Sequence, residues 1–156
     1  MKTIAIGLLG SLALGGAAFA GATPDGTVRD FIAAFDRGDA AAAAATHAAD
    51  VSIVDEVAPH IWQGPGAFQK WADDLTADAK ANGQSGNKVT LGELVRSQVD
   101  GDTGYVTFEA LYSYDQKGGA MAESARMVFA LKKTAGDWKI AGWAWAGSPP
   151  KPLGAR

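Results

Sequence analysis

Three polar residues that stand among apolar neighbours could take part in acid–base chemistry: Asp55, His60 and Arg126. Asp55 follows a short stretch of β-branched residues and precedes further apolar residues. A carboxylate in apolar surroundings takes up a proton more readily than one in water, as a general base must. The alternative is that Asp55 or Glu56 caps the turn after a strand.

His60 follows Asp55 in the same predicted loop, where the two side chains could form an acid–base pair. A surface histidine is the alternative. Arg126 lies within a predicted strand; pointing inward, it could bind a carboxylate or an enolate through two parallel hydrogen bonds. Pointing outward, it would pair with Glu109 on the preceding strand. His47 is expected to have a structural role in the alanine-rich segment.

The aromatic residues form a second group, and their spacing predicts an apolar pocket. Trp143 and Trp145 are two residues apart and therefore share one face of a strand, as do Tyr112 and Tyr114. We expect one pair to line a concave face and the other to form a dimer surface, with core packing as the alternative for any single ring. The candidate ligand-binding residues are Phe31, Phe35, Trp62, Trp71, Tyr112, Arg126 and Trp143.

Three helices are predicted in the first half of the chain. Thr23-Pro24-Asp25 has the residue types of a helix start, and an apolar stripe at helical spacing runs through residues 28–35. Asp39 can cap a second, short helix formed by the six alanines of residues 40–45. A third apolar stripe extends over residues 68–79.

A short strand at residues 51–55 and a turn-rich connection at residues 61–66 separate the second and third helices. From Lys88 onward, apolar and polar residues alternate, which predicts a four-stranded meander. Three helices followed by a meander indicate an α+β fold whose helices cover one face of a curved antiparallel sheet. The predicted strands of the meander are residues 88–98, 104–114, 121–132 and 138–146.

The first 20 residues have the features of a cleaved signal peptide. Met1-Lys2 is followed by a short apolar run and by Ala18-Phe19-Ala20, the small-x-small pattern of a cleavage site. We expect cleavage after Ala20 and export to the periplasm or the cell exterior, without a membrane anchor. Residues 21–147 would then form a single domain, and the proline-rich residues 148–156 a loose tail.

Composition argues against several classes of function. The 156-residue chain contains no cysteine, so disulfides and thiolate metal sites are excluded. Its net charge is −3 and it has no basic cluster, which argues against nucleic acid as a partner. Its two histidines lack the spacing of a structural zinc site. We expect no metal and no cofactor.

Several segments together resemble the nuclear transport factor 2-like superfamily, in its SnoaL-like and ketosteroid isomerase-like branch. They are Phe31–Asp39, Val54-Asp55, the turn Trp62–Pro65 and the closing Gly136–Ile140. The resemblance extends over the whole mature chain and implies a cone-shaped fold, a pocket beneath the helices and a homodimer. Its motifs identify the fold and not one activity.

Matching to ketosteroid isomerases tests that chemistry residue by residue. Their helix-end motif resembles Phe31–Asp39 without gaps, and the match places their general-base aspartate at Asp55. Their oxyanion-hole tyrosine falls on Phe31, which has no hydroxyl. Their second, protonated acidic donor falls near Arg126 or Met127, neither of which is an acid. Loss of one such donor typically lowers the rate about 10²–10³-fold, so this mechanism is disfavoured.

Three hypotheses follow, and each makes a different structural prediction. A binding protein for a small hydrophobic or aromatic molecule should have an apolar pocket with Asp55 and His60 at its rim. A small lyase, isomerase or cyclase that uses Asp55 as its base should bring Asp55 and His60 together inside the pocket. A non-catalytic dimeric scaffold should have a filled core without a cavity.

Overall fold

The structure, a computed structural model, describes residues 21–154; the predicted signal peptide lies outside the described residues. The described chain forms three helices and seven strands, and no helix in it is long and apolar enough to cross a membrane. The helices are α1 (Pro24–Asp36), α2 (Ala40–Ala45) and α3 (Ala67–Ala81). The strands are β1 (His47–Val54), β2 (Ile61–Gln63), β3 (Ser85–Asp100), β4 (Thr103–Gln116), β5 (Gly119–Thr134), β6 (Asp137–Gly147) and β7 (Lys151–Pro152).

One curved sheet carries the helices on a single face, which confirms the predicted α+β class. Its strand order is β2-β1-β6-β5-β4-β3, with β7 beside β5. The four meander strands pair antiparallel, as predicted, but β1 runs parallel to β6. The sheet is therefore mixed. Between β1 and the meander the chain passes through β2 and α3.

The predicted helix starts are confirmed by their capping hydrogen bonds. The Thr23 hydroxyl accepts from the backbone N–H of Gly26 at 3.2 Å, and Pro24 occupies the first turn. The Asp39 carboxylate accepts from the backbone N–H of Ala42 at 3.0 Å. These caps satisfy donors that have no partner within the helix. They fix where α1 begins and where the chain turns into α2.

Strand alternation divides the inner from the outer face of the sheet. On β5, residues 125, 127, 129 and 131 are buried under the helices, whereas Arg126 and Ala130 between them are exposed. The core lies between this inner face and the apolar stripes of α1 and α3. Phe31 on α1 is 1% exposed and lies at its centre, in contact with aromatic rings from α3 and β6.

Three local predictions were wrong. His47 opens β1 and does not belong to the alanine helix, because Thr46 ends α2 and β1 begins four residues earlier than predicted. Residues 61–63 form strand β2, which pairs with the end of β1. The tail was expected not to extend the sheet, yet Lys151–Pro152 pairs with β5. Pro152 has no backbone N–H to donate. The neighbouring Leu153 donates its backbone N–H to the carbonyl oxygen of Ala120 instead.

Candidate functional site

A cavity of about 490 Å³ opens between α1, α3, the loop after β1 and the inner face of the sheet. We call it the pocket. At the volume per molecule of liquid water it would hold about 16 waters, and its size falls within the range of small-molecule sites. Its walls are mainly aromatic and aliphatic. The aromatic lining residues are Phe31, Phe35, Trp71, Tyr112, Tyr114, Trp143 and Trp145.

Each of the three tryptophans in the pocket is held by a hydrogen bond from its indole N–H. Trp71 donates to the Asp55 carboxylate at 3.0 Å, and Trp145 donates to the Glu123 carboxylate at 2.6 Å. Trp143 donates to Nε2 of His47 at 3.2 Å. Because each indole has a fixed acceptor, the orientation of its ring is fixed as well.

The rings meet at steep angles and form walls at right angles to one another. Trp71 and Trp143 have ring centroids 4.9 Å apart and an interplanar angle of 88°. Tyr112 and Trp145 are 6.2 Å apart at 81°. Edge-to-face contacts of this kind stabilise aromatic pairs. The aromatic residues that line the pocket come from four elements, α1, α3, β4 and β6.

His47 supports the pocket from behind and does not line it. Its Nε2 accepts from Trp143, so the ring proton must be on Nδ1, which lies 2.9 Å from the carbonyl oxygen of Ala43. The ring also packs against Phe31 and Phe68. Burial lowers the pKa of His47 to about 4 despite the opposing hydrogen bond to Ala43. His47 is therefore neutral at pH 7 and positions Trp143.

Asp55 and His60 both line the pocket, but their side chains do not form the predicted acid–base pair. The Asp55 carboxylate accepts from Trp71 and, at 3.1 Å, from the backbone N–H of Val57. The His60 ring is exposed, and its Nδ1 lies 3.3 Å from the backbone oxygen of Asp55. This matches the rim arrangement expected for a binding pocket. The cavity itself contradicts the filled core expected for a scaffold.

Three further carboxyl groups, those of Glu56, Asp78 and Glu123, line the pocket and were missed as site residues from the sequence. Glu123 is 2% exposed. Although part of Glu56 is exposed, burial of its carboxyl, followed by its hydrogen bond to Glu123, raises the pKa of Glu56 to about 8. Glu56 is therefore largely protonated at neutral pH. Glu123 could have been found, since it shares its strand face with the buried Met127.

Tyr112 lines the pocket, but its hydroxyl oxygen is enclosed by the protein. The oxygen forms no hydrogen bond within the described part of the chain. Burial, followed by the nearby Tyr114 and the acidic residues, raises the pKa of Tyr112 far above its usual range. The group therefore stays protonated at neutral pH.

Two predicted ligand-binding residues lie elsewhere. Arg126 points to the outer face of the sheet, where it forms an exposed ion pair with Glu109. It lies between two inward-facing residues of β5, so strand alternation directs it away from the pocket. Trp62 is buried, but its indole N–H donates to Asp74 at 2.8 Å and its ring does not line the pocket.

The two aromatic pairs do not divide between a pocket and a dimer surface as predicted. Tyr112 and Tyr114 on β4 and Trp143 and Trp145 on β6 all line the pocket. All four therefore face the helices, and the outer face receives none of them. Phe31, Phe35 and Trp71 also lie where the sequence predicted.

The acidic residues of the pocket are spread around its wall. Asp55 and Glu56 come from the loop after β1, Asp78 from α3 and Glu123 from β5. Within residues 21–154, no group of three or more histidine or acidic side chains is close enough together to hold a metal ion. The carboxyl groups therefore surround a space the size of an organic molecule.

The fold and its pocket define the nuclear transport factor 2-like class. Residues 26–150 match the family model of the SnoaL-like domain, so the chain belongs to that family. A comparison with curated proteins finds no match.

Solved structures of this class are similar to the chain in fold. A hexachlorocyclohexane dehydrochlorinase from Novosphingobium barchaimii aligns with a TM-score of 0.69 at 14% identity, over 83% of this chain and 87% of that one. A ketosteroid isomerase-like protein from Erwinia carotovora atroseptica aligns with a TM-score of 0.64 at 20% identity, over 84% and 98%. A nuclear transport factor 2-like protein from Salmonella enterica gives 0.64 at 12%, over 83% and 92%. At these identities the likeness concerns the fold alone.

Proposed function

We propose that this SnoaL-like domain binds a small, mainly aromatic molecule in the pocket. The observation that carries the proposal is a preformed cavity of about 490 Å³ with seven aromatic residues in its wall. Sites for small molecules are concave, largely apolar and supplied with a few polar groups that orient the ligand. Here those groups are the carboxyl groups of Asp55, Glu56, Asp78 and Glu123.

The fixed tryptophans support binding, because a rigid wall loses little conformational entropy when a ligand enters. Trp71, Trp143 and Trp145 are each held in place by one hydrogen bond before any ligand is present. Export through the signal peptide and homodimerisation remain predictions from the sequence.

A titration with a neutral aromatic dye, N-phenyl-1-naphthylamine, tests the proposal. Leu75 is a half-buried residue of α3 that lines the pocket, whereas the next residue, Thr76, is exposed. Leu75→Trp places a large ring in the wall of the cavity and should weaken dye binding at least tenfold, about 1.4 kcal/mol. Thr76→Trp adds the same side chain outside the pocket and should bind like the wild type. Absence of saturable binding to the wild type, or equal affinities for both variants, would contradict the proposal.

A second candidate is a small lyase or isomerase, which the polar lining supports in part. The Asp55 carboxyl lines the cavity, at the position where the match to ketosteroid isomerases places their general base. Structural neighbours of this class include a dehydrochlorinase and a ketosteroid isomerase-like protein.

Deuterium exchange at the carbon next to the carbonyl of 1-tetralone, followed by NMR, tests this candidate. Proton abstraction by Asp55 should accelerate exchange, and Asp55→Asn should lower the exchange rate about 10²–10⁴-fold. Asp73→Asn is the matched control, because Asp73 is exposed on α3 and does not line the pocket. Exchange at the buffer rate with the wild type would exclude this chemistry for ketones of that size.

A further inference from the structure

We propose that the natural ligand of the pocket is an organic cation, an amine with a protonated or quaternary nitrogen beside an apolar or aromatic group. This inference rests on the proposed function, because it specifies the chemical class of ligand for the same cavity. Three features of the pocket support it: the sign of its charges, the arrangement of its rings and the distribution of its carboxyl groups.

The charged groups of the pocket are of one sign. Asp55, Glu56, Asp78 and Glu123 line it, and among the described lining residues there is no lysine or arginine. Even with Glu56 protonated, three other carboxyl groups line the pocket, against the single exposed histidine His60. An anion would be repelled, and a neutral ligand would displace water from the carboxylates without compensating them. A cation compensates them.

The aromatic walls are arranged to bind a cation. Seven aromatic residues line the cavity, and they come from four elements, α1, α3, β4 and β6. The face of an aromatic ring carries partial negative charge and attracts ammonium groups, most strongly for tryptophan. Aromatic cages of this kind bind quaternary ammonium ligands.

The hydrogen bonds of the indoles strengthen this attraction. Trp71 donates to Asp55 and Trp145 donates to Glu123, so two of the three indoles donate to carboxyl groups. A negatively charged acceptor polarises the N–H bond and shifts electron density into the ring, since linked hydrogen bonds polarise one another. The same carboxyl groups therefore contribute in two ways, by direct attraction and through the rings that they hold.

The distribution of the carboxyl groups favours an organic cation over a metal ion. A metal ion needs several oxygen ligands that converge on one point. The acids of the described pocket do not converge in this way, and the rings between them are apolar. An amine with an apolar substituent fits both parts of this wall.

Competition for the neutral dye tests the inference with probes of nearly equal shape. The cation is benzyltrimethylammonium, its neutral counterpart is neopentylbenzene, and the anion is 3-phenylpropanoate. We expect the cation to displace the dye at least tenfold more strongly than neopentylbenzene, and the anion to be the weakest. Equal or stronger displacement by neopentylbenzene would overturn the inference.

Charge-removing variants locate the effect. Asp55→Asn should weaken the cation at least fivefold more than it weakens neopentylbenzene, and Asp78→Asn should act in the same direction if Asp55→Asn does not fold. Asp73→Asn removes the same charge outside the pocket and should change neither probe. An equal loss in all three variants would overturn the inference by showing a long-range effect of net charge.

The two proposals fail in different ways. If the wild type binds the dye but does not prefer the cation, the pocket is real and only the charge of its ligand was inferred wrongly. If the wild type binds neither the dye nor any probe, the proposed function fails and the inference fails with it.

Discussion

The buried imidazole of His47 makes stability depend on pH in a way that can be calculated from the structure. The ring accepts from Trp143 through Nε2 and faces the carbonyl of Ala43 through Nδ1, so it has no place for a second proton. Protonation would expel the Trp143 N–H from its acceptor. Burial accordingly lowers the pKa of His47 from 6.5 to about 4.

The direction in which stability changes with pH follows from proton binding. Above pH 6.5 the imidazole is neutral in both states, and its stabilising contribution is complete. Between pH 6.5 and 4 the unfolded chain binds a proton that the folded chain does not, so stability falls as the pH falls. The difference between 6.5 and 4 corresponds to about 3 kcal/mol at about 1.4 kcal/mol per pKa unit. That is a large part of the stability of an ordinary domain.

Urea unfolding of the wild type and of His47→Gln at a series of pH values measures this contribution. Glutamine can donate to Ala43 and accept from Trp143, but it does not titrate in this range. The free-energy difference between wild type and variant should shrink by about 3 kcal/mol from pH 7 to pH 4. His60→Gln removes the other histidine and serves as the control. A wild-type-minus-variant difference that is constant with pH would refute the reasoning.

Three more predictions concern the outer face and the acids of the pocket. In urea unfolding, Arg126→Ala should leave the free energy of unfolding nearly unchanged, because its ion pair is exposed and screened by solvent, and it should leave dye affinity unchanged. Gly147→Ala should leave net charge unchanged yet weaken the cationic probe, because a Cβ there would overlap the Glu123 carboxyl and displace it from Trp145; thermal melting and dye competition measure both effects. In urea unfolding, the free-energy difference between the wild type and Glu56→Gln should fall as the pH rises from about 4.5 to about 8, because the unfolded chain releases the Glu56 proton in that window while the folded chain keeps it.

The sequence predicts those features that depend on local patterns. The helix starts at Thr23 and Asp39 are set by capping residues within a few positions of their partners, and the structure confirms them. Strand alternation also predicts the inner face of β5. The same rule decides whether Arg126 points inward or outward. Arg126 stands between the inward-facing residues 125 and 127, so its side chain points outward.

Other features depend on contacts between distant segments, which no local pattern contains. The parallel pairing of β1 with β6 joins residues about 90 positions apart and makes the sheet mixed. It also brings His47 to Trp143, an interaction that neither residue suggests alone. His60 has a left-handed backbone, with φ of 74°, in the loop after β1. With this backbone geometry, the His60 ring contacts the backbone oxygen of Asp55 and not its carboxylate.

The central claim is that the pocket holds a small molecule, and native mass spectrometry of the protein purified gently from its own host tests it most directly. We predict a bound organic molecule of one defined mass in the wild type, and its absence from Leu75→Trp purified in the same way. Identical ligand-free masses for the two proteins would contradict the account. Retention of the same molecule by Leu75→Trp would contradict it as well, because that molecule would then be bound elsewhere.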